Sequence, residues 1–419
     1  MLIFAPDRKY KDMRQSIRFA VALLMMGLCV QTASAQAKKR PATKKPVTTT
    51  KKPVATKVNN NFAILEFDEW INDTDPFEDE ESIYFLGNDN PDQNTLRAVN
   101  KQTGAVRIVV PKKKRARPMI CSAGCDGKNI YMRLEDKGIA RFNGTDVNTS
   151  EIVLPQSEQF KGFLVRGNRG KNITCSPNGR YIILYGDTPL VYDLLEKRVV
   201  RTGVNNTAQA TALTDDGLLI SLGYSTILTA PKHDNPTIDF SSPKNRVGVK
   251  EVKASDIDNG AHGDFCSMWY DIPANMIYVA VGEQVLKSPA QADLSFQEVY
   301  CLPGENKKFS KVAFNGQRVF AITDNYEKHF YEWDNKDMTG TPKISKELET
   351  GINYKTKYAW GDPTPYKLSS VNRLFYDSMG NLWLQSGDGL FVIYNPDGIK
   401  GLTSLKGKWT KNELPKEED

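Results

Sequence analysis

From Leu374 to Tyr394 the sequence LFYDSMGNLWLQSGDGLFVIY alternates apolar runs of strand length with turns of Asp, Ser, Gly and Asn. Turns this short can only reverse the chain, so the stretch reads as an antiparallel meander. Counting this stretch from Arg373 (RLFYDSMGNLWLQSG), the same pattern has earlier instances from Cys121 (CSAGCDGKNIYMRL), Ile173 (ITCSPNGRYIILYG), Ala210 (ATALTDDGLLISLG), Ser267 (SMWYDIPANMIYVAV) and Lys311 (KVAFNGQRVFAIT). A weaker copy starts near Glu80 with ESIYFLGNDN and continues as NTLRAVNKQTGAVRIVV. No comparable helical periodicity interrupts the series.

Gly127, Gly179, Gly217, Asn275, Gly316 and Gly380 align as the common turn position, at spacings of 52, 38, 58, 41 and 64 residues. A mean near 51 matches four-stranded units with loops of variable length. One such sheet cannot bury both of its faces, whereas units stacked radially bury each other and protect their edges. The expected fold is therefore all-β, a β-propeller of seven four-stranded blades, with six or eight as the nearest alternatives. The run NFAILEF (Asn61–Phe67) is expected to close the ring by completing the last blade.

The first residues read differently. Phe19–Val30 is an apolar run preceded by Arg14 and Arg18 and followed by Ala33-Ser34-Ala35. It is too short to span ~30 Å of hydrocarbon and fits a secretory signal peptide at residues 1–35. Gln36–Lys57 is made of Lys, Pro, Thr and Ala and is expected to be a disordered linker. Residues 58–419 form the expected propeller domain. The whole chain has a net charge of +6, but residues 58–419 hold 43 basic and 48 acidic residues, a net charge of −5. That balance argues against nucleic acid as a partner. Export to the periplasm, the cell surface or the medium is expected, with no transmembrane span and with peripheral association to the cell envelope open.

Chemistry-bearing motifs are sparse. Cys121-x3-Cys125 lacks a second ligand pair, so zinc is not expected. Five cysteines outside the leader are too few and too odd in number for a disulfide scaffold. The acidic run Asp73, Asp75, Glu78, Asp79, Glu80, Glu81 lacks a glycine-bearing calcium loop and reads as a solvated turn. His233, His262 and His329 fall in different repeats; His262, in the loop Asp258–Asp264, is the one placed to touch a ligand. No catalytic residue, cofactor or metal is assigned.

The connections between consecutive repeats are more informative, since all of them belong to one rim of a propeller. They include PKKKRARP (Pro111–Pro118), RGNRGK (Arg166–Lys171), ENKKFSK (Glu305–Lys311) and NYKTKYAWGDPTPYK (Asn353–Lys367). Arg115, Arg117, Arg166, Arg169, Lys171, His262, Tyr358 and Trp360 are the candidate ligand-binding residues, on a basic face that would focus an anionic ligand or a glycan. The expected function is a non-catalytic binding or interaction module with an unidentified protein or glycan partner. A propeller glycosidase or polysaccharide lyase, and a scaffold subunit of an envelope complex, are the rivals.

Asp377, Gly380, Asn381, Leu382, Trp383, Gly389 and Leu390 together resemble the two-component-regulator propeller repeat. SPNGRYIILYG is similar to the Ser-Pro-Asp-Gly turn of YVTN/WD-type repeats, and AVNKQTG (Ala98–Gly104) to the turn of quinoprotein-type blades. These resemblances imply the fold. The first also implies carbohydrate sensing in the periplasm, as in hybrid sensor kinases of gut Bacteroidetes. Fold alone does not carry that chemistry over.

Overall fold

All six residues aligned as the common turn position have left-handed backbone in the computed structural model: φ is 94° at Gly127, 69° at Gly179, 84° at Gly217, 50° at Asn275, 80° at Gly316 and 81° at Gly380. Glycine takes this conformation without steric cost and Asn tolerates it better than most residues, which is why these two types mark the repeat. The structure describes residues 62–67, 71, 76–88, 94–101, 103–111, 120–157, 173–184, 189–202, 209–234, 243–257, 264–301, 308–316, 318–323, 330–334, 343–344, 352–353, 365–366, 371, 373–385 and 390–394. All lie within one unit, Thr56–Asp419.

The strands follow the repeats. After β1 (Phe62–Glu66) come β2 (Phe77–Glu78), β3 (Ser82–Asn88), β4 (Asn94–Asn100) and β5 (Val106–Val110). Next are β6 (Ile120–Cys125), β7 (Ile130–Leu134), β8 (Gly138–Arg141) and β9 (Glu151–Pro155), then β10 (Tyr181–Leu184), β11 (Leu190–Asp193) and β12 (Arg198–Arg201). The fourth group is β13 (Ala210–Leu213), β14 (Leu219–Leu222), β15 (Thr226–Ala230) and β16 (Lys250–Lys253). The fifth is β17 (Phe265–Asp271), β18 (Met276–Val281), β19 (Gln284–Pro289) and β20 (Gln297–Cys301). The sixth is β21 (Phe309–Phe314), β22 (Arg318–Thr323), β23 (Phe330–Asp334) and β24 (Lys343–Ile344). A hairpin of β25 (Ile352–Asn353) and β26 (Pro365–Tyr366) precedes β27 (Arg373–Tyr376), β28 (Leu382–Gln385) and β29 (Leu390–Tyr394).

The molecule is an all-β β-propeller. Within each group, consecutive strands pair antiparallel, and the described residues form six sheets of three or more strands. One of them has eight strands, because a single pair, Asn94 with Ile120, joins the meander β2–β5 to the meander β6–β9. The group β10–β12 has three strands, its inner position being marked by a lone bridge from Cys175 to Ile182. β1 pairs with β29 from Phe62 opposite Tyr394 to Glu66 opposite Leu390, so one sheet holds both the first and the last strand.

Side chains alternate along each strand, and both faces are buried. In β18, Ile277, Val279 and Val281 pack towards β13–β15, while Tyr278 and Ala280 pack towards β21–β23. This explains why the strands read as continuous apolar runs rather than as alternating ones. Similar apolar clusters straddle every pair of consecutive meanders. The one between the last and the first unites Leu65, Trp383, Phe391 and Ile393 with Ile83, Phe85 and Val99. No helix among the described residues is long and apolar enough to cross a membrane.

Candidate functional site

Where a meander has its full set of strands, the first of them is the innermost, as in the sheets that begin with β13, β17, β21 and β27. These four lie side by side. An inner strand leaves backbone groups unpaired on its axial edge, and short polar side chains take some of them up. The Val312 N–H donates to Ser267 Oγ at 3.0 Å, across two meanders. Thr174 and Thr211 share a hydroxyl–hydroxyl bond of 2.9 Å, and Ile173 N–H reaches the Ala123 carbonyl at 3.0 Å.

These strands enclose a cavity of about 330 Å³. Its walls come from the starting halves of the inner strands, with Ala210 on β13, Cys266 and Ser267 on β17, Lys311 on β21 and Arg373 on β27. Gln209 and Pro76 complete it from segments just ahead of β13 and β2. The first-to-second-strand turns lie at the opposite rim. The cavity thus sits nearer the rim at which the chain passes from one meander to the next.

Lys311 and Arg373 bring two cationic groups to the wall, and the described residues lining it include no Asp or Glu. Gln209 adds an amide, and its Nε2 is buried without a hydrogen-bond partner. Cys266 adds no charge. Burial pushes its thiol up to about 12, outweighing the hydrogen bond to Ser267 and the Lys311 charge, which act the other way. The described lining of this open cavity thus carries Lys, Arg and amide donors together with apolar side chains.

Arg115, Arg117, Arg166, Arg169, Lys171, His262, Tyr358 and Trp360 all lie outside the described residues, as does His329. Along the chain, Val110 and Ile120 bracket one of the basic segments and Pro155 and Ile173 another; none of the four lines the cavity. The segment Asn353–Lys367, read from sequence as a connection between repeats, overlaps a hairpin that starts one residue before it, with Ile352 opposite Tyr366 and Asn353 opposite Pro365. His233 is a main-chain donor to Val200 rather than part of the cavity.

In the acidic run, Asp79 receives the N–H groups of Glu81 at 2.9 Å and Ser82 at 2.7 Å, and the hydroxyl of Tyr84 at 2.5 Å. Glu78 pairs with Lys101 at 2.8 Å. These carboxylates therefore cap and tie a turn, and no group of His, Cys, Asp and Glu among the described residues is arranged to hold a metal. No disulfide joins the five cysteines.

Sequence reasoning did not single out Gln209, Lys311 or Arg373. Lys311 ends one of the basic connections and Arg373 opens the final repeat. The available signal was a cation set within the first apolar run of a repeat, where the meander pattern calls for a buried strand.

No protein-family model and no curated protein sequence matches the chain. Among solved structures it is similar to two of the extracellular domain of BT4673 from B. thetaiotaomicron, assigned to a one-component and to a hybrid two-component system. Identity is 14% in both, with TM-scores of 0.44 and 0.45. Each match covers 79% of this chain and 39% of the other, so the chain spans well under half the length of those proteins. A chain of the mitotic checkpoint complex matches at 11% identity and a TM-score of 0.49, over 87% of this chain and 99% of that one. At these identities and TM-scores the likenesses carry no argument about this chain, whose own sheets make it a β-propeller.

Proposed function

We propose that this chain is an exported, non-catalytic β-propeller binding module that takes its ligand into the axial cavity. The observation that carries this reading is the convergence of Lys311, Arg373 and Gln209, from three different meanders, on one cavity of about 330 Å³. Ligand sites are concave, few per molecule and furnished with a small number of convergent polar groups. In this reading the basic connections bearing Arg115, Arg117, Arg166, Arg169 and Lys171, together with His262, Tyr358 and Trp360, gather the ligand or a glycan or protein partner at the mouth. Residues 1–35 direct export, and residues 36–57 hold the domain away from the cell envelope.

The ring in this proposal has seven blades, with the eight-stranded sheet counted as two. Support comes from the apolar clusters. Each straddles two consecutive meanders, and following them from β1 around to β29 and back passes seven seams.

The test is a thermal-shift and calorimetric screen of oligosaccharides, sugar acids and envelope extracts against the full chain and two variants. Gln209→Tyr fills the cavity, and a combined Arg115→Ala, Arg117→Ala, Arg166→Ala, Arg169→Ala variant strips the mouth. A ligand lost in the first and weakened in the second is the expected result. Binding that survives both variants unchanged overturns the proposal.

A further inference from the structure

We infer that the surface built around β12 docks on an anionic lipid surface. It lies apart from the axial cavity and stands independently of the reading given to that cavity. The turn from β11 to β12 carries Leu195, 74% exposed, followed by the exposed Lys197 and Arg198. Against it lies the connection from β15 to β16. Arg198 donates to the Asp234 carbonyl at 2.9 Å, and His233 N–H to the Val200 carbonyl at 2.7 Å. Arg201, 1% exposed, donates to the carbonyls of Asn245 and Val247, both at 3.0 Å, and to that of Pro231. One buried guanidinium thus fixes the segment that presents Val247, 57% exposed, beside the exposed Lys244 and Arg246.

Among its described residues this surface exposes five basic side chains (Lys197, Arg198, Lys232, Lys244, Arg246) against two acidic ones (Glu196, Asp234), on a domain whose net charge is −5. Glu196 is already engaged by Arg180 and Arg198. Aliphatic tips among cations suit the boundary of a bilayer, where Leu and Val leave water and Lys and Arg meet phosphate. A soluble polyanion would use the cations and gain nothing from Leu195 and Val247. The layout of the chain agrees. Phe62 lies opposite Tyr394, Tyr394 opposite Leu382 and Leu382 opposite Tyr376, so β1 starts at the end of its sheet that bears the Asp377–Asn381 turn. Asp193 lies opposite Tyr181, which puts the β11–β12 turn at the end that bears the Gly179 turn. Both are at the rim opposite the cavity. The Lys-rich residues 36–57 therefore lead to the rim that carries Leu195, and docking there turns the cavity's rim away from the lipid. Residues 36–57 set how far the domain can stand off; this surface decides which side it turns to the envelope.

The experiment sediments the full chain with vesicles of phosphatidylcholine, alone or mixed equally with phosphatidylglycerol, at low and at physiological salt. The mixed vesicles are expected to bind about tenfold or more tightly than the neutral ones, and to lose that advantage as salt rises. Lys244→Gln combined with Arg246→Gln should weaken binding about twentyfold, at about fivefold per cation, and Leu195→Ser about fivefold. Leu195→Trp should retain binding. Because residues 36–57 are themselves basic, each variant is repeated on a chain whose Lys and Arg at those positions are Gln, and the same losses are expected there. A melting curve for every variant separates lost docking from lost folding, with Lys197→Gln combined with Lys244→Gln as the second charge pair. Equal binding to both vesicle types, binding unchanged in the charge variants, or binding abolished by the 36–57 substitutions alone overturns the inference. Heparin is the polyanion control. Loss of heparin and lipid alike in the charge variants, with Leu195→Ser binding lipid as wild type does, also overturns it and makes the surface a polyanion site.

Discussion

Two aspartates show how much structure one side chain can hold, and how differently its charge is then tuned. Asp377 accepts the N–H groups of Met379 and Asn381, both at 2.9 Å, the Asn381 amide at 2.7 Å and the Trp383 indole at 2.9 Å. Asp126 does the same two meanders along the ring, with the N–H groups of Lys128 at 2.9 Å and Asn129 at 2.7 Å, the Asn129 amide at 2.9 Å and the Tyr131 hydroxyl at 3.0 Å. Burial raises the pKa of both. At Asp126 the hydrogen bonds from Asn129, Lys128 and Tyr131 win and the carboxyl sits below its ordinary 3.8; at Asp377 burial wins and Glu78 adds to it.

Their contributions to stability therefore run opposite ways with pH. The Asp126 contribution is fully present above 3.8 and is lost as pH falls through its depressed pKa, while ionising Asp377 costs stability as pH rises through its raised one. Urea unfolding across the acid range should show Asp126→Asn less stable at neutral pH, with a flatter decline towards acid; an unchanged acid limb contradicts this assignment. Gly179 adds a steric constraint, because a Cβ there would stand 2.5 Å from the Asp126 carboxylate of the preceding meander.

The meanders are tied to each other through these turns. Asn178 N–H donates to the Asp215 carboxylate at 2.7 Å and its amide to the Asp215 carbonyl at 3.0 Å, linking two successive turns. At the seam between the last and first meanders the tie is ionic. Lys101, with only 2% of its side chain exposed, reaches Glu78 at 2.8 Å, Ser378 Oγ at 2.7 Å and the Asp79 carbonyl, while Ser378 N–H donates to Glu78 at 3.1 Å. Lys101→Met should cost about 1–3 kcal/mol, less than a fully buried pair because Glu78 is a third exposed. Chemical denaturation measures this, and an unchanged midpoint would mean that the seam is held by Trp383, Phe85 and Phe391 alone.

The turns were legible in the sequence because left-handed backbone selects Gly or Asn locally, whatever the rest of the chain does. The apolar strands were legible because burial on both faces leaves no alternation to misread. The axial cavity was not, since Gln209, Ser267, Lys311 and Arg373 come from four separate repeats and meet only when the ring is built. On the page Lys311 is one lysine in a basic loop; its place in the wall is set by the register of β21 with β22. The short hairpin β25–β26 escaped notice for a related reason, as two-residue strands carry no pattern of their own.

At the scale of the whole molecule, the β1–β29 pairing decides whether the edges are covered. Deleting residues 62–66 uncovers β29, and an exposed apolar strand edge invites pairing with another chain. Light scattering should show oligomers forming at concentrations where the full chain stays monodisperse, alongside a lower melting temperature. A monodisperse deletion variant would mean that β29 needs no cover.

The same pairing sets a schedule for how the molecule comes into being. Phe62 must meet Tyr394, and Glu66 must meet Leu390, so the strand made first finds its partner only when the strand made last has emerged. At roughly 5–20 residues per second of synthesis, that is a wait of about twenty seconds to a minute with an apolar strand unpaired. A chain cut short before Leu390 never ends that wait, and β1 on such a fragment becomes the handle by which proteases and chaperones can tell it from the finished protein.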